Sequence, residues 1–253
     1  MKLDLQKGSL AKRLAAWLLD SMLLVVLIVG AASGLTSVLD YDTYQTQLSN
    51  AYEKYQTQYG IQFQITQEDY DALPEEQRKA YDDAYHALNA DEEAMYAYNM
   101  IINLTILIVS GAILIGIFIS EFVVPMILKN GQTVGKKAFG LGVIRPDGVR
   151  VTGVQMFIRS ILGKYAVETM ISVYMFLMLL FGSGGVFSLG LMVAVPLIQV
   201  CFLLFNRNKT VIHDLLSGTV VVDLPSQMVF NSTEDLIAYK TKLHAEEANK
   251  KEY

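Results

Sequence analysis

Four stretches of this sequence are almost entirely apolar, and their lengths restrict what the chain can fold into. They cover residues 14–39, 100–128, 166–181 and 186–205. A helix that crosses a membrane needs about 20 such residues, which the first two stretches exceed and the last two reach or nearly reach. The composition agrees, because 53% of the residues are hydrophobic and the mean hydropathy is +0.35. We therefore predict an all-α membrane protein with four transmembrane helices.

The first stretch has a second interpretation as a secretory signal, since it follows the basic residues Lys12 and Arg13. Its apolar run is longer than a signal core of about 7–15 residues, and Asp20 interrupts it. A membrane span is the preferred interpretation.

The charged residues divide sharply between the two long loops. Loop 40–99 has thirteen acidic and three basic residues, whereas loop 129–165 has seven basic residues and one acidic residue. Because cytoplasmic loops are enriched in Lys and Arg, we predict a multi-pass cell-membrane protein with both termini in the cytoplasm and loop 40–99 outside. A basic loop beside a bilayer is expected to contact anionic lipids, and no nucleic-acid partner is expected.

These patterns divide the chain into six segments. They are a tail with the first span (1–39), an acidic, tyrosine-rich extracytoplasmic helical insert (40–99), the second span (100–128), a basic cytoplasmic loop (129–165), a hairpin of the third and fourth spans joined by "GSGG" (166–205), and a cytoplasmic end with a His-Asp motif, a strand and a charged tail (206–253).

The insert holds ten of the fourteen tyrosines. Their spacing predicts a helix that ends at Gly60, Thr66 is placed to cap a second helix, and Pro74 to begin a third. The last helix of the insert is expected to run into the second span. The tyrosines favour a small helical core near lipid headgroups over the alternative, a surface that binds sugar or peptide.

The basic loop contains two further patterns. "LGVIRPDGVRVTG" predicts a β-hairpin around Pro146–Gly148, which a strand over 219–223 can join. "VQMFIRSILGKY" predicts an amphipathic helix at the inner membrane surface, with Arg159 and Lys164 reaching headgroups or polar partners.

Known catalytic patterns are missing from the sequence. "NGQTVGKKAFG" has the wrong glycine spacing for a phosphate loop, and Lys137 stands where such a loop needs Ser or Thr. His213 and Asp214 have no further His or Asp nearby that would complete a metal site, and Cys201 is the only cysteine. We therefore expect no enzyme, no metal and no cofactor.

Acidic residues inside two of the spans are the remaining unusual feature. Asp20 lies in the first span and Glu121 in the second, where a carboxylate costs roughly 2.5–3.5 kcal/mol at the helix centre. Such residues indicate a functional site by default. The alternative is structural: Arg13, two helical turns before Asp20, neutralises it and fixes the helix packing. Glu168 is expected to pair with Lys164 near the membrane surface.

Three segments resemble the RDD family of prokaryotic membrane proteins. They are "AKRLAAWLLDSMLL", "NGQTVGKKAFGLGVIRPDGVRVTGVQMFIRSILGKY" and "NRNKTVIHDLLSGTVVV". The resemblance covers most of residues 8–38 and 100–223, and it implies that Arg13, Asp20 and Asp214 are the arginine and two aspartates that give the family its name. It also implies a bacterial inner-membrane protein, for which transport, including cation/proton exchange, is the commonest proposal. The insert over 40–99 is longer than the resemblance leads us to expect.

Two hypotheses about function follow. In the first, the protein is a small transporter or transporter component in which Asp20 and Glu121 bind a cation or proton, Arg13 sets their proton affinity, and His213 and Asp214 lie at the cytoplasmic mouth. Four spans are few for a carrier, so a homo-oligomer is expected. In the second, the protein is a non-transporting regulator or assembly factor whose insert binds an envelope or membrane protein.

Overall fold

The computed structural model describes residues 5–182, 184–206 and 209–251. It is mostly helical with one two-stranded sheet. The elements in chain order are α1 (Leu10–Val38), α2 (Tyr41–Tyr59), α3 (Gln67–Ala72), α4 (Glu75–Ala90), α5 (Glu92–Ile117), the π-helix π1 (Phe118–Val123), α6 (Val124–Leu128), α7 (Val134–Ala138), β1 (Leu141–Ile144), α8 (Gly153–Phe157), the π-helix π2 (Ile158–Met170), α9 (Ile171–Leu180), α10 (Val186–Phe205), α11 (Ile212–Ser217), β2 (Val220–Asp223), a 3₁₀ turn (Leu224–Ser226) and α12 (Thr233–Lys251).

Four helical stretches among the described residues are long and apolar enough to cross a membrane. They are Leu10–Val38, Glu92–Leu128, Gly153–Leu180 and Val186–Phe205. This agrees with the four predicted spans, although the first three begin earlier than predicted. The predicted "GSGG" turn between the last two includes Ser183, which lies outside the described residues.

The third of these stretches corrects one prediction. The separate amphipathic helix expected before residue 166 does not exist, because α8, π2 and α9 form one uninterrupted helix from Gly153 to Leu180. Gly163 does not break it. A Cβ atom at this position would lie 2.5 Å from the Cβ of His213, so the glycine permits close packing against α11.

Residues 30–112 form one compact unit. In it, α2 ends at Gly60 with φ +67°, and Thr66 caps α3 with a full capping box, both as predicted. Pro74 is the N-cap of α4, one residue before the predicted position. Tyr55, Leu88 and Ala94 form one buried apolar cluster of this unit.

The other unit comprises residues 5–29 together with residues 113–251. Its sheet pairs β1 with β2 in antiparallel register, from Leu141 opposite Asp223 to Ile144 opposite Val220. Of the hairpin predicted around Pro146–Gly148, the second strand does not form.

The reason is a competing partner for the edge of β1. The N–H of Val143 donates to the carbonyl of Asn130 (2.9 Å), and Gln132 Nε2 donates to the carbonyl of Leu141 (2.8 Å), so these groups do not pair with a second strand. The turn itself forms, because the N–H of Arg145 donates to the carbonyl of Val149 (2.9 Å), and one bridge joins Ile144 to Arg150.

Both ends of the chain contribute to this small sheet. The N–H of Asp223 donates to the carbonyl of Gln6 (2.8 Å), and Lys7 bridges to Val222. Leu236 of α12 is buried with Val149 and Phe230. The sheet therefore gathers segments that are distant in sequence.

Candidate functional site

Eight charged or titratable side chains are largely buried in the unit that contains the sheet. They are Asp20, Glu121, Lys136, Arg159, Lys164, Glu168, His213 and Asp214. Their side chains are only 2% to 18% exposed, so water does little to screen their charges. We call this set the buried charge cluster.

Asp20 is held by the segment that follows the second span. Thr133 Oγ1 donates to Asp20 Oδ2 (2.5 Å), and the backbone N–H of Gly135 donates to Oδ1 (2.7 Å). A Cβ atom at Gly135 would lie 2.8 Å from Asp20 Cγ and would also collide with the carbonyl of Ala16. The motif "NGQTVGKKAFG" therefore binds a carboxylate of the protein itself.

Arg13 does not pair with Asp20, contrary to the sequence-based prediction. Its guanidinium donates instead to the carbonyls of Lys209 (2.5 Å) and Val221 (2.7 Å). Two helical turns separate Arg13 from Asp20, about 10 Å along the axis, and these carbonyls lie closer to the guanidinium. Arg13 thus joins α1 to the segment that carries the His-Asp motif.

Lys136 takes the place that Arg13 was expected to have. Its ammonium lies 3.8 Å from Asp20 Oδ2 and 3.7 Å from Glu121 Oε2, so one cation connects the acids of the first two spans. Burial lowers the pKa of Lys136 to about 8, although Glu121 and Asp20 act to raise it. Sequence reasoning missed this residue because a lysine in a basic loop is usually exposed.

The two π-helices explain how the other charges meet. A π-helix bonds residue i to residue i+5, so residues four and five positions apart share a face. Arg159, Lys164 and Glu168 of π2 have these spacings, and Lys164 bonds to Glu121 of π1. The predicted Lys164–Glu168 ion pair is wrong, because Lys164 pairs with Glu121 and Glu168 pairs with His213 instead.

Asp214 and Arg159 form the most deeply buried ion pair. Arg159 Nη1 donates to Asp214 Oδ1 and to Thr219 Oγ1, and each charged side chain is 2% exposed. Arg159 was predicted to reach either headgroups or polar partners, and in the structure it contacts polar partners, Asp214 and Thr219. Asp214, expected at a mouth, is buried.

His213 pairs with Glu168, which the sequence analysis did not connect with it. The Nδ1 atom lies 2.8 and 2.9 Å from the two carboxylate oxygens, and the backbone N–H of His213 donates to Oε1 (2.9 Å). Burial lowers the pKa of His213 well below its ordinary value, and the charges of Arg159, Lys164 and Lys136 act in the same direction. Burial and these charges therefore favour the neutral form of His213.

The geometry brings together most of the residues singled out from the sequence. Asp20 and Glu121 share Lys136, and Arg159, His213 and Asp214 form a second group. Arg13 bonds to backbone carbonyls and to no carboxylate of either group. In the described ranges, no three His, Cys, Asp or Glu side chains converge as a metal site. The arrangement is a buried network of hydrogen bonds and ion pairs, in which a low local dielectric strengthens each contact.

Comparison with known proteins matches the chain to a family. The model of the RDD family matches residues 7–218, a stretch that contains the whole buried charge cluster. No curated protein and no solved structure matches the chain.

Proposed function

The chain belongs to the RDD family, and we propose that it is a small transporter, or a transporter component, that moves protons or cations through the buried charge cluster. The observation that carries this proposal is the sharing of Lys136 by Asp20 and Glu121, at 3.8 and 3.7 Å. These acids come from the first two of four membrane-spanning candidates.

The energetics favour a functional role for the cluster. A buried ion pair is weak evidence for stability, because apolar residues of similar volume often stabilise a protein equally well. Acids and bases within membrane segments are expensive and commonly mark ion or proton pathways. Five of the eight groups lie in candidate membrane spans, which favours transport over packing alone; they are Asp20, Glu121, Arg159, Lys164 and Glu168.

We assign Asp20 and Glu121 the role of binding the transported proton or cation. Lys136 sets their affinity, the role first predicted for Arg13, because it is the cation within ion-pair distance of both. Arg13 positions the segment that carries His213 and Asp214, through the carbonyls of Lys209 and Val221.

We also propose the orientation and partners that follow from charge. Loop 129–165 and both termini would face the cytoplasm of a bacterial cell and contact anionic lipids, with residues 40–99 outside. A homo-oligomer would supply the additional helices that a carrier needs. No enzymatic activity and no cofactor are part of the proposal.

The test is flux of protons and of Na⁺ or K⁺ in liposomes that hold the purified protein. Wild type is compared with Asp20→Asn and with a matched control, Asp147→Asn. The control makes the same change in the Arg145–Asp147 ion pair, whose side chains are about one-third exposed. We expect Asp20→Asn to abolish flux and Asp147→Asn to preserve it. Absence of flux in wild type under every imposed gradient would contradict transport.

A second candidate function rests on the insert. Residues 30–112 have their own core, and a groove of ≈ 780 Å³ opens between α2 and the start of α5, with Tyr44, Tyr96 and Glu93 in its lining. This favours a regulator or assembly factor that binds an envelope or membrane protein there. In that case deletion of residues 42–96 abolishes function, while Asp20→Asn is tolerated.

A further inference from the structure

The charges of the cluster do not balance. It contains four carboxylates, of Asp20, Glu121, Glu168 and Asp214. It contains three cations, of Lys136, Lys164 and Arg159. With His213 neutral, the carboxylates of this set outnumber its cations by one, and the nearby Arg13 bonds to backbone carbonyls rather than to a carboxylate.

The geometry identifies which carboxylate lacks a cation. Asp20 has Lys136, Glu121 has Lys136 and Lys164, and Asp214 has Arg159. Among the described residues, the ion-pair partner of Glu168 is His213. Arg13, the nearby fourth cation, donates to backbone carbonyls.

We propose that Glu168 and His213 form an exchangeable proton-binding site that neutralises the buried charge cluster. The proton binding stands on the contact between Glu168 and His213, whereas its part in a transport path rests on the proposed function. Glu168 thereby joins the residues of functional interest.

The pair has the geometry for this role. Both carboxylate oxygens lie within 2.9 Å of Nδ1, and each side chain is 10% exposed. A carboxylate only accepts hydrogen bonds, so a neutral His213 carries its proton on Nδ1 and donates it to Glu168. One further proton converts the pair to its neutral-acid or imidazolium form, and its midpoint belongs to the pair as a unit.

Neighbouring charges oppose each other at this site. Arg159 and Lys164 of π2 and Lys136 of α7 disfavour a positive His213, whereas Glu168 favours it. Asp214 also lies near, with Oδ1 3.9 Å from Nε2 of His213. Uptake of a proton therefore depends mainly on Glu168, which lies closest.

The experiment is a pH titration of the full-length protein in lipid nanodiscs, followed by NMR of ring-labelled histidines. The chain has three histidines, and His213→Gln assigns the relevant signal. We expect a single transition of the His213 signal in wild type as pH falls below neutral. In Glu168→Gln its midpoint should fall by at least about one pH unit, a tenfold loss of proton affinity.

The matched control is Glu247→Gln, which removes the carboxylate 4.0 Å from the exposed His244 and should leave the His213 midpoint unchanged. Glu168→Asp is the second variant, in which the shorter side chain moves the carboxylate from Nδ1 and should lower the midpoint. A His213 signal that does not change with pH in wild type, or an unchanged midpoint in either folded Glu168 variant, would overturn the proposal.

Flux in the same preparations separates the two proposals. If the His213 midpoint shifts in the Glu168 variants but wild type shows no flux, the proton site is supported and transport is contradicted. If wild type shows flux but the midpoint does not shift, transport is supported and the proton site is contradicted.

Discussion

Arg159 donates to the carboxylate of Asp214 across 55 residues of sequence, and both side chains are 2% exposed. Thr219 completes the contact by hydrogen bonding to both partners. The pair connects π2 to α11. These elements also carry Glu168 (π2) and His213 (α11).

Breaking this pair should strongly destabilise the protein. Asp214→Asn leaves Arg159 charged and buried without a counter-ion, so we expect a loss of about 3–5 kcal/mol in the free energy of unfolding. The measurement is denaturant unfolding of the purified protein in detergent micelles. Arg145→Gln, in the one-third-exposed pair with Asp147, is the control, expected to change stability by about 0–1 kcal/mol. Equal effects of the two substitutions would contradict the prediction.

Gly135 should not tolerate a side chain. Gly135→Ala places a methyl group against Asp20 and the carbonyl of Ala16, so the loop must move and the N–H bond to Asp20 is weakened. We expect a loss of about 1–3 kcal/mol, measured as a lower thermal midpoint. Gly190→Ala in α10 makes the same change where no atom lies within 4 Å, and should be neutral or stabilising. A Gly135→Ala protein as stable as Gly190→Ala would refute the contact.

Stability should fall in mild acid because of His213. Its pKa is lowered in the folded state, so the unfolded chain binds a proton more readily as pH falls below about 6.5. Stability gained from the neutral histidine is present above that pH and decreases below it, as far as the folded-state pKa. Thermal midpoints measured from pH 8 to 5 should therefore decline in wild type and decline less in His213→Gln. If the thermal midpoints of wild type and His213→Gln declined equally with falling pH, the acid sensitivity would belong to another group.

The orientation can be tested by labelling. In a Cys201→Ser background, which removes the only cysteine, an impermeant thiol reagent added to intact cells should label Gln58→Cys and leave Lys137→Cys unlabelled. Both positions are exposed, so access depends on the side of the membrane. After the membrane is opened, both should react. Labelling of Lys137→Cys alone in intact cells would reverse the proposed orientation.

The helical architecture could be predicted from the sequence because length and hydrophobicity decide it locally. The four spans, the helix end at Gly60 and the cap at Thr66 depend on neighbouring residues alone. The second strand of the hairpin failed because residues outside the hairpin bond to β1. Asn130 and Gln132 bond to the N–H of Val143 and the carbonyl of Leu141, which that strand would have used.

The residues of the candidate site could be found, but their partners could not. Asp20 and Glu121 are conspicuous because they interrupt apolar stretches, whereas Lys136 looks like any lysine of a basic loop. Pairing of Arg159, Lys164 and Glu168 also depends on a π-helix, and no pattern used in the sequence analysis distinguishes that from an α-helix. The spacing of five and four residues between these three charges is the one signal that favours it.

The sheet joins residues from opposite ends of the chain, with Gln6 and Lys7 bonded beside Val222 and Asp223 and Arg13 bonded to Val221. During synthesis the N-terminal partners emerge first and must wait for more than two hundred residues before these bonds can form. At about 5–20 residues per second this takes on the order of ten seconds or more. Until then the first helix resides in the membrane without the contacts that hold Arg13, and a chain cut short before residue 220 never acquires them. Closure of the sheet therefore acts as a late step of assembly, one that only a chain extending past residue 223 can complete.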